Sequence, residues 1–175
     1  MDSFPTSQSL KTIGGIAVVV FCFWAALQIL DPLDHPGSTA ATDRVQAMNL
    51  RDAQRRSDVE ILRLAIEAYF KTNGTYRVKG SEGAGYINLA SPGALSVVQA
   101  LHDGGYLAVR SLDDPTKIPG YMIYLCDDDK QYSISATLEN PSPEDVSRAQ
   151  KMCNGSGPNG TYTVYGKNYS VGTDR

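Results

Sequence analysis

The sequence predicts an α+β fold: an N-terminal transmembrane helix, then a long α-helix, then a small antiparallel β-sheet packed on the rear half of that helix. Three observations predict it. A membrane-length apolar run, Ile13 to Leu30 (IGGIAVVVFCFWAALQIL), is broken only by Gln28. A charged helical pattern follows, centred on NLRDAQRRSDVEILRLAIEAYFKTNGTYR from Asn49 to Arg77. Beyond it, YMIYLC (121–126) and QYSISATL (131–138) alternate as strands around an Asp127-Asp128-Asp129-Lys130 turn.

Taken in order, residues 1–12 form a short polar tail. The run at 13–30 is long enough for roughly 30 Å of hydrocarbon, and the lipid bilayer is therefore its expected partner. A cleaved secretory signal is the rival reading, but the run exceeds the usual apolar region and Ile-Leu-Asp-Pro is a poor cleavage site. Lys11 precedes the run, whereas Asp31 and Asp34 follow it. The positive flank stays in the cytoplasm, which puts residues 31–175 outside as a single extracytoplasmic domain from 43 onward. A hinge at 31–42 contains two prolines and a glycine.

Thr42 or Asp43 is expected to cap the long helix, which runs to about Lys71. Apolar residues approach a 3.6-residue period only from Val59 onward (Val59, Leu62, Ile66, Phe70), so the front half is solvated and the rear half docks. Asn73-Gly74 ends it. GSEGAG reads as a loop, and Ser91-Pro92 as the start of a short helix with Leu95, Val98 and Leu101 on one face. Gly104-Gly105 stops that helix. Pro143 to Met152 reads as a further helix, and TYTVYGKNYSV (161–171) as a last strand.

Composition excludes several classes. A net charge of −3 gives no basic footprint for nucleic acid. The two histidines, His35 and His102, have no nucleophile or metal spacing around them, and no phosphate or dinucleotide loop occurs. No catalytic residue, metal or cofactor is expected; the chain reads as non-enzymatic. Asp127 to Asp129 lack the alternate-position pattern of a calcium loop and read as a solvated turn. With Cys22 inside the anchor, Cys126 and Cys153 remain as an even pair in an oxidising compartment. A disulfide is expected; two unpaired thiols are the alternative. Four N-x-S/T sequons stand at Asn73, Asn154, Asn159 and Asn168. Arg51, Arg55 and Arg56 form a patch with two readings, a solvated helix face or a subunit interface.

RDAQRRSDVEILRLAIEAYFKTNGTY resembles the post-membrane half of the long helix in bacterial type IV pilin-like proteins, especially the major-pseudopilin (G-type) branch. Arg51, Asp52, Ala53, Arg55, Asp58, Ile61 and Tyr69 match that family's pattern, and Asn73-Gly74-Thr75-Tyr76 follows, with Arg77 where the family has proline. A second stretch is similar through Leu101, Gly105, Tyr106, Leu107, Asp114, Pro115, Tyr121, Tyr124, Tyr132, Ala136, Leu138, Glu139 and Asn140. The resemblance implies a pilin-like fold whose partners are other pilin-like subunits and their assembly platform. It also implies a calcium site near Glu139, Glu144 and Asp145, but no motif here matches it. SLKTIGGIAVVV departs from the family's leader and lacks the glutamate inside the apolar run. Cleavage after Gly14 or Gly15 would leave about 15 apolar residues, too few to span comfortably. The expected protein is thus an unprocessed, accessory or divergent pilin-like subunit of a type IV pilus or type II secretion filament. The alternative is a monomeric, membrane-anchored binding domain of the same fold.

Overall fold

The computed structural model describes residues 39–81, 85–117, 120–153, 155–158 and 160–173. The predicted anchor at 13–30 and His35 lie outside them. Among the described residues no helix is long and apolar enough to cross a membrane. The fold is α+β, with a long helix α1 (Thr39–Asn73) and a four-stranded antiparallel sheet. In chain order the other elements are β1 (Gly85–Tyr86), α2 (Val97–Asp103), β2 (Met122–Cys126), β3 (Gln131–Ala136), α3 (Pro143–Lys151), α4 (Thr161–Tyr165) and β4 (Tyr169–Gly172). The strands follow one another across the sheet in order β1-β2-β3-β4, with Ile123 opposite Ile134 and Ser135 opposite Ser170.

α1 buries one face of its rear half. Val59, Leu62, Ala65, Ile66 and Tyr69 meet Tyr121, Ile123, Tyr132, Ile134 and Ala136 from the sheet and Val98 and Leu101 from α2 in one core. Residues 40–46 are exposed, as the absence of an apolar period there predicts. Thr42 and Asp43 lie inside α1 instead of capping it. Gly74 takes the left-handed conformation (φ 71°) and donates to the Phe70 carbonyl, closing the helix as expected.

Two elements depart from the reading. The short helix starts at Ser96, not Ser91: Ser96 and Gln99 form a reciprocal capping box, while Ser91 begins a turn. Leu95 therefore precedes the helix and is 40% exposed. TYTVY is helical rather than extended, and only Tyr169–Gly172 continues as strand. β-branched and aromatic residues favour strands weakly, and tertiary context overrides them. Here Thr161 is buried against Ser135, and Gly166 at φ 63° ends the turn. α3 forms where the helix from Pro143 is expected, and the structure adds a capping box between Ser142 and Asp145 with Pro143 in the first turn.

Both faces of β3 are covered. Tyr132, Ile134 and Ala136 belong to the apolar core, whereas Ser133 and Ser135 are buried on the opposite side, where Ser135 bonds Ser170 at 2.8 Å. Small polar residues there let the buried Thr161 come close, 3.5 Å from the Ser135 hydroxyl. Gly155 packs so tightly on the Ala149 carbonyl that a Cβ would collide with it.

Candidate functional site: the arginine clamp and the disulfide

α1 places Asp52, Arg55, Arg56 and Asp58 within two turns, on the side where the sheet and its loops return to the helix. Arg55 is 2% exposed and sits at the centre. Its guanidinium donates to both Asp114 oxygens (2.8 and 3.0 Å), to Asp52 (2.8 Å), to Glu139 (2.8 Å) and to the Thr116 hydroxyl (3.1 Å). A planar fork with five donors is the side chain suited to this geometry. Hydrogen bonding to Asp114 raises the Arg55 pKa above its usual value despite burial. Burial pushes the Asp114 carboxyl up, but hydrogen bonds from Arg55 and Thr116 outweigh it and hold it below the ordinary range.

Asp52 works on the backbone. Its two oxygens accept the Glu139 and Asn140 N–H groups, each at 2.9 Å. Arg51 adds a two-point pair to Glu139 (2.6 Å on each oxygen), and that pair brings the Glu139 carboxyl down to about 2. Arg56 forks onto Asp145 at 2.9 and 2.7 Å and lies over the Tyr169 ring at 4.7 Å. Two tyrosines tie the sheet to the next turns of α1: Tyr121 donates to Asp58 (2.7 Å) and Tyr132 to Glu67 (2.8 Å). Of the ten tyrosines, these two pack their rings in the core and place their hydroxyls on helix carboxylates.

The three arginines singled out as interface candidates are therefore engaged within their own chain. Arg55 is enclosed and closed to a second subunit. Arg51 and Arg56 keep 33% and 40% of their side chains exposed. Glu139 and Asp145, two of the acids considered for calcium, are spent on arginines. Among the described residues no cluster of three or more His, Cys, Asp or Glu could hold a metal ion. His102 stands in the last turn of α2, its Nδ1 3.1 Å from the Asp103 carboxylate.

Cys126 and Cys153 are bonded, S–S 2.04 Å with Cα atoms 6.0 Å apart. The bridge ties the end of β2 to the residues just beyond α3. At the adjacent hairpin, Asp127, Asp128 and Asp129 all take left-handed backbone (φ 54°, 52° and 63°), a conformation aspartate tolerates better than most residues. Asp129 is pinned there by a forked pair from Arg77 (2.5 and 2.9 Å) and by the Tyr76 N–H on its carbonyl. Of the sequons, Asn154 and Asn159 lie outside the described residues. Asn168 exchanges hydrogen bonds with the Leu138 backbone in both directions, and Asn73 donates to the Tyr69 carbonyl and the Tyr106 hydroxyl.

No protein-family model matches this chain, and neither a curated protein nor a solved structure matches it.

Proposed function

We propose that this chain is a structural, non-enzymatic, pilin-like or pseudopilin-like subunit, anchored in a membrane through residues 13–30 and assembling in, or accessory to, a type IV pilus or type II secretion filament. One observation carries the reading. The positions on which the family resemblance rests, widely separated in sequence, converge in space: Arg51, Asp52, Arg55 and Asp58 on α1 bond Asp114, Tyr121, Glu139 and Asn140. A chance likeness of two loose patterns gives no reason for their members to be mutual partners. The opposite face of α1 supports the same reading, because Leu50, Ile61 and Leu64 are exposed at 65%, 41% and 56%. Exposed apolar residues in a row on one helix are suited to a neighbouring subunit.

The second reading, a monomeric anchored binding domain, is favoured by a cleft of about 600 Å³ beside Tyr86 and Tyr121. Intact-mass measurement on membrane-extracted protein, with electron microscopy of sheared filaments, separates the two. A mass lacking the first 14 or 15 residues, or the chain in filaments, supports the subunit. A full-length mass in a protein that never accompanies filaments would sink it.

A further inference from the structure

The cleft is lined by Tyr86, Asn88 and Leu89 on one side and by Asp113, Asp114, Lys117, Gly120 and Tyr121 on the other, and its volume falls within the range of small-molecule sites. We propose that it binds a neutral saccharide, a function that stands whether or not the chain assembles into filaments. Its walls are fixed from behind. Tyr121 is 1% exposed and held by Asp58, Asp114 is held by Arg55, and the Gly120 carbonyl accepts the buried Lys167 ammonium at 2.6 Å. A cleft built on such contacts is formed before any ligand arrives, which lowers the ordering cost of binding.

The groups left over define the ligand. Asn88 spends both amide hydrogens inward, on the Leu112 carbonyl (2.8 Å) and on one Asp113 oxygen (3.0 Å). Its own carbonyl oxygen and the second Asp113 oxygen have no hydrogen-bond donor among the described residues, so two acceptors stand side by side. Lys117 supplies a donor on the same cleft. Tyr86 offers an aromatic wall, braced edge-on by Tyr165 with ring centroids 6.2 Å apart.

Charge argues against an ionic ligand. Asp114 is neutralised by Arg55, and the cleft is lined by one further carboxylate, Asp113, and one further lysine, Lys117, while the Lys167 ammonium is bonded to the Gly120 carbonyl and lies 5.5 Å from the Tyr86 centroid. No single sign of charge is left in excess. A polyhydroxyl ring meets the whole set: its hydroxyls donate to Asn88 and Asp113 and accept from Lys117, and its C–H face packs on the tyrosine ring, whose face is electron-rich.

Saturation-transfer NMR on the full-length chain tests this with methyl α-glucoside, methyl α-galactoside and N-acetylglucosamine, using choline and citrate as charged controls. The expected result is saturable transfer to at least one sugar and none to the controls. Affinity should fall about tenfold in Asp113→Ala and in Tyr86→Ala, the scale of one hydrogen bond to a charged group or one stacked ring. Arg63→Ala, on α1, should bind as wild type. Asn88→Ala, at an exposed position, replaces Tyr86→Ala should that variant fail to fold by circular dichroism. Absence of transfer to all three sugars, equal transfer in the variants, or stronger transfer to choline or citrate would overturn the proposal.

Discussion

Arg55 joins α1 to two loops at once, and its value depends on the carboxylates it neutralises. Removing it leaves Asp114, 4% exposed, and Asp52, 6% exposed, without their cation. Breaking a buried ion pair from one side costs about 3–5 kcal/mol, so Arg55→Ala should lose most of the stability of a domain this size, measured as the urea midpoint. Arg55→Lys should recover little, since an ammonium cannot fork onto Asp114 while reaching Glu139. The same cluster sets acid sensitivity. Glu139 titrates at about 2 in the folded chain against 4.5 when free, because Arg51 and Arg55 bond its charged form. Its contribution is fully present above about pH 4.5 and is lost as pH falls towards 2. Melting temperatures of wild type and Glu139→Gln should therefore differ at pH 7 and converge near pH 2; a constant gap would exclude this role. The arginine cluster was visible in the sequence, but its partners were not. Only Asp52 is a helical neighbour, while Asp114 and Glu139 stand 59 and 84 residues away from Arg55, a distance no local pattern bridges.

Among the elements, those with local chemical signals were readable and those set by tertiary contacts were not. The stretch read as a helix from Pro143 to Met152 forms α3 (Pro143–Lys151), and the Asp127–Lys130 turn announces the β2–β3 hairpin. The segment 161–165 carries strand-like residues, yet it is wound into α4 because its buried Thr161 meets the serine-lined back of the sheet. A two-residue β1 that begins at Gly85 leaves almost no pattern to read. The Cys126–Cys153 bridge holds this C-terminal layer, whose buried Ala149 and Met152 and whose Ser135–Ser170 hydroxyl contact lie outside the main apolar core, so the covalent link bears more of its stability. The cysteines are 27 residues apart, and closing a loop of that size contributes on the order of 3 kcal/mol through the unfolded state. Cys126→Ser with Cys153→Ser should lower stability by about that amount. Amide exchange should rise first in 143–165 and last in the rear half of α1. Uniform loosening across both layers would contradict that division.

At the scale of the molecule, the two sides of α1 have opposite characters, and this decides where a subunit contact can form. The inward side is saturated: Arg55 is enclosed, and Arg51 and Arg56 are held by Glu139 and Asp145. A charge reversal there would break the fold and report nothing about assembly. The outward side carries Leu50, Ile61 and Leu64, exposed in the monomer and spaced 3, 11 or 14 residues apart along one helical stripe. Burying one such side chain contributes about 1.5–3 kcal/mol, so two of them suffice to change association by two orders of magnitude or more. Ile61→Ser with Leu64→Glu should leave the melting temperature within a few degrees of wild type, because exposed positions contribute little to folding. On the proposed subunit reading, the same double variant should abolish cysteine cross-links placed along the stripe between neighbouring copies. Cross-linking that persists at wild-type yield would remove this face from the assembly and return the weight to the monomeric reading, in which α1 serves only to carry the sheet and its cleft.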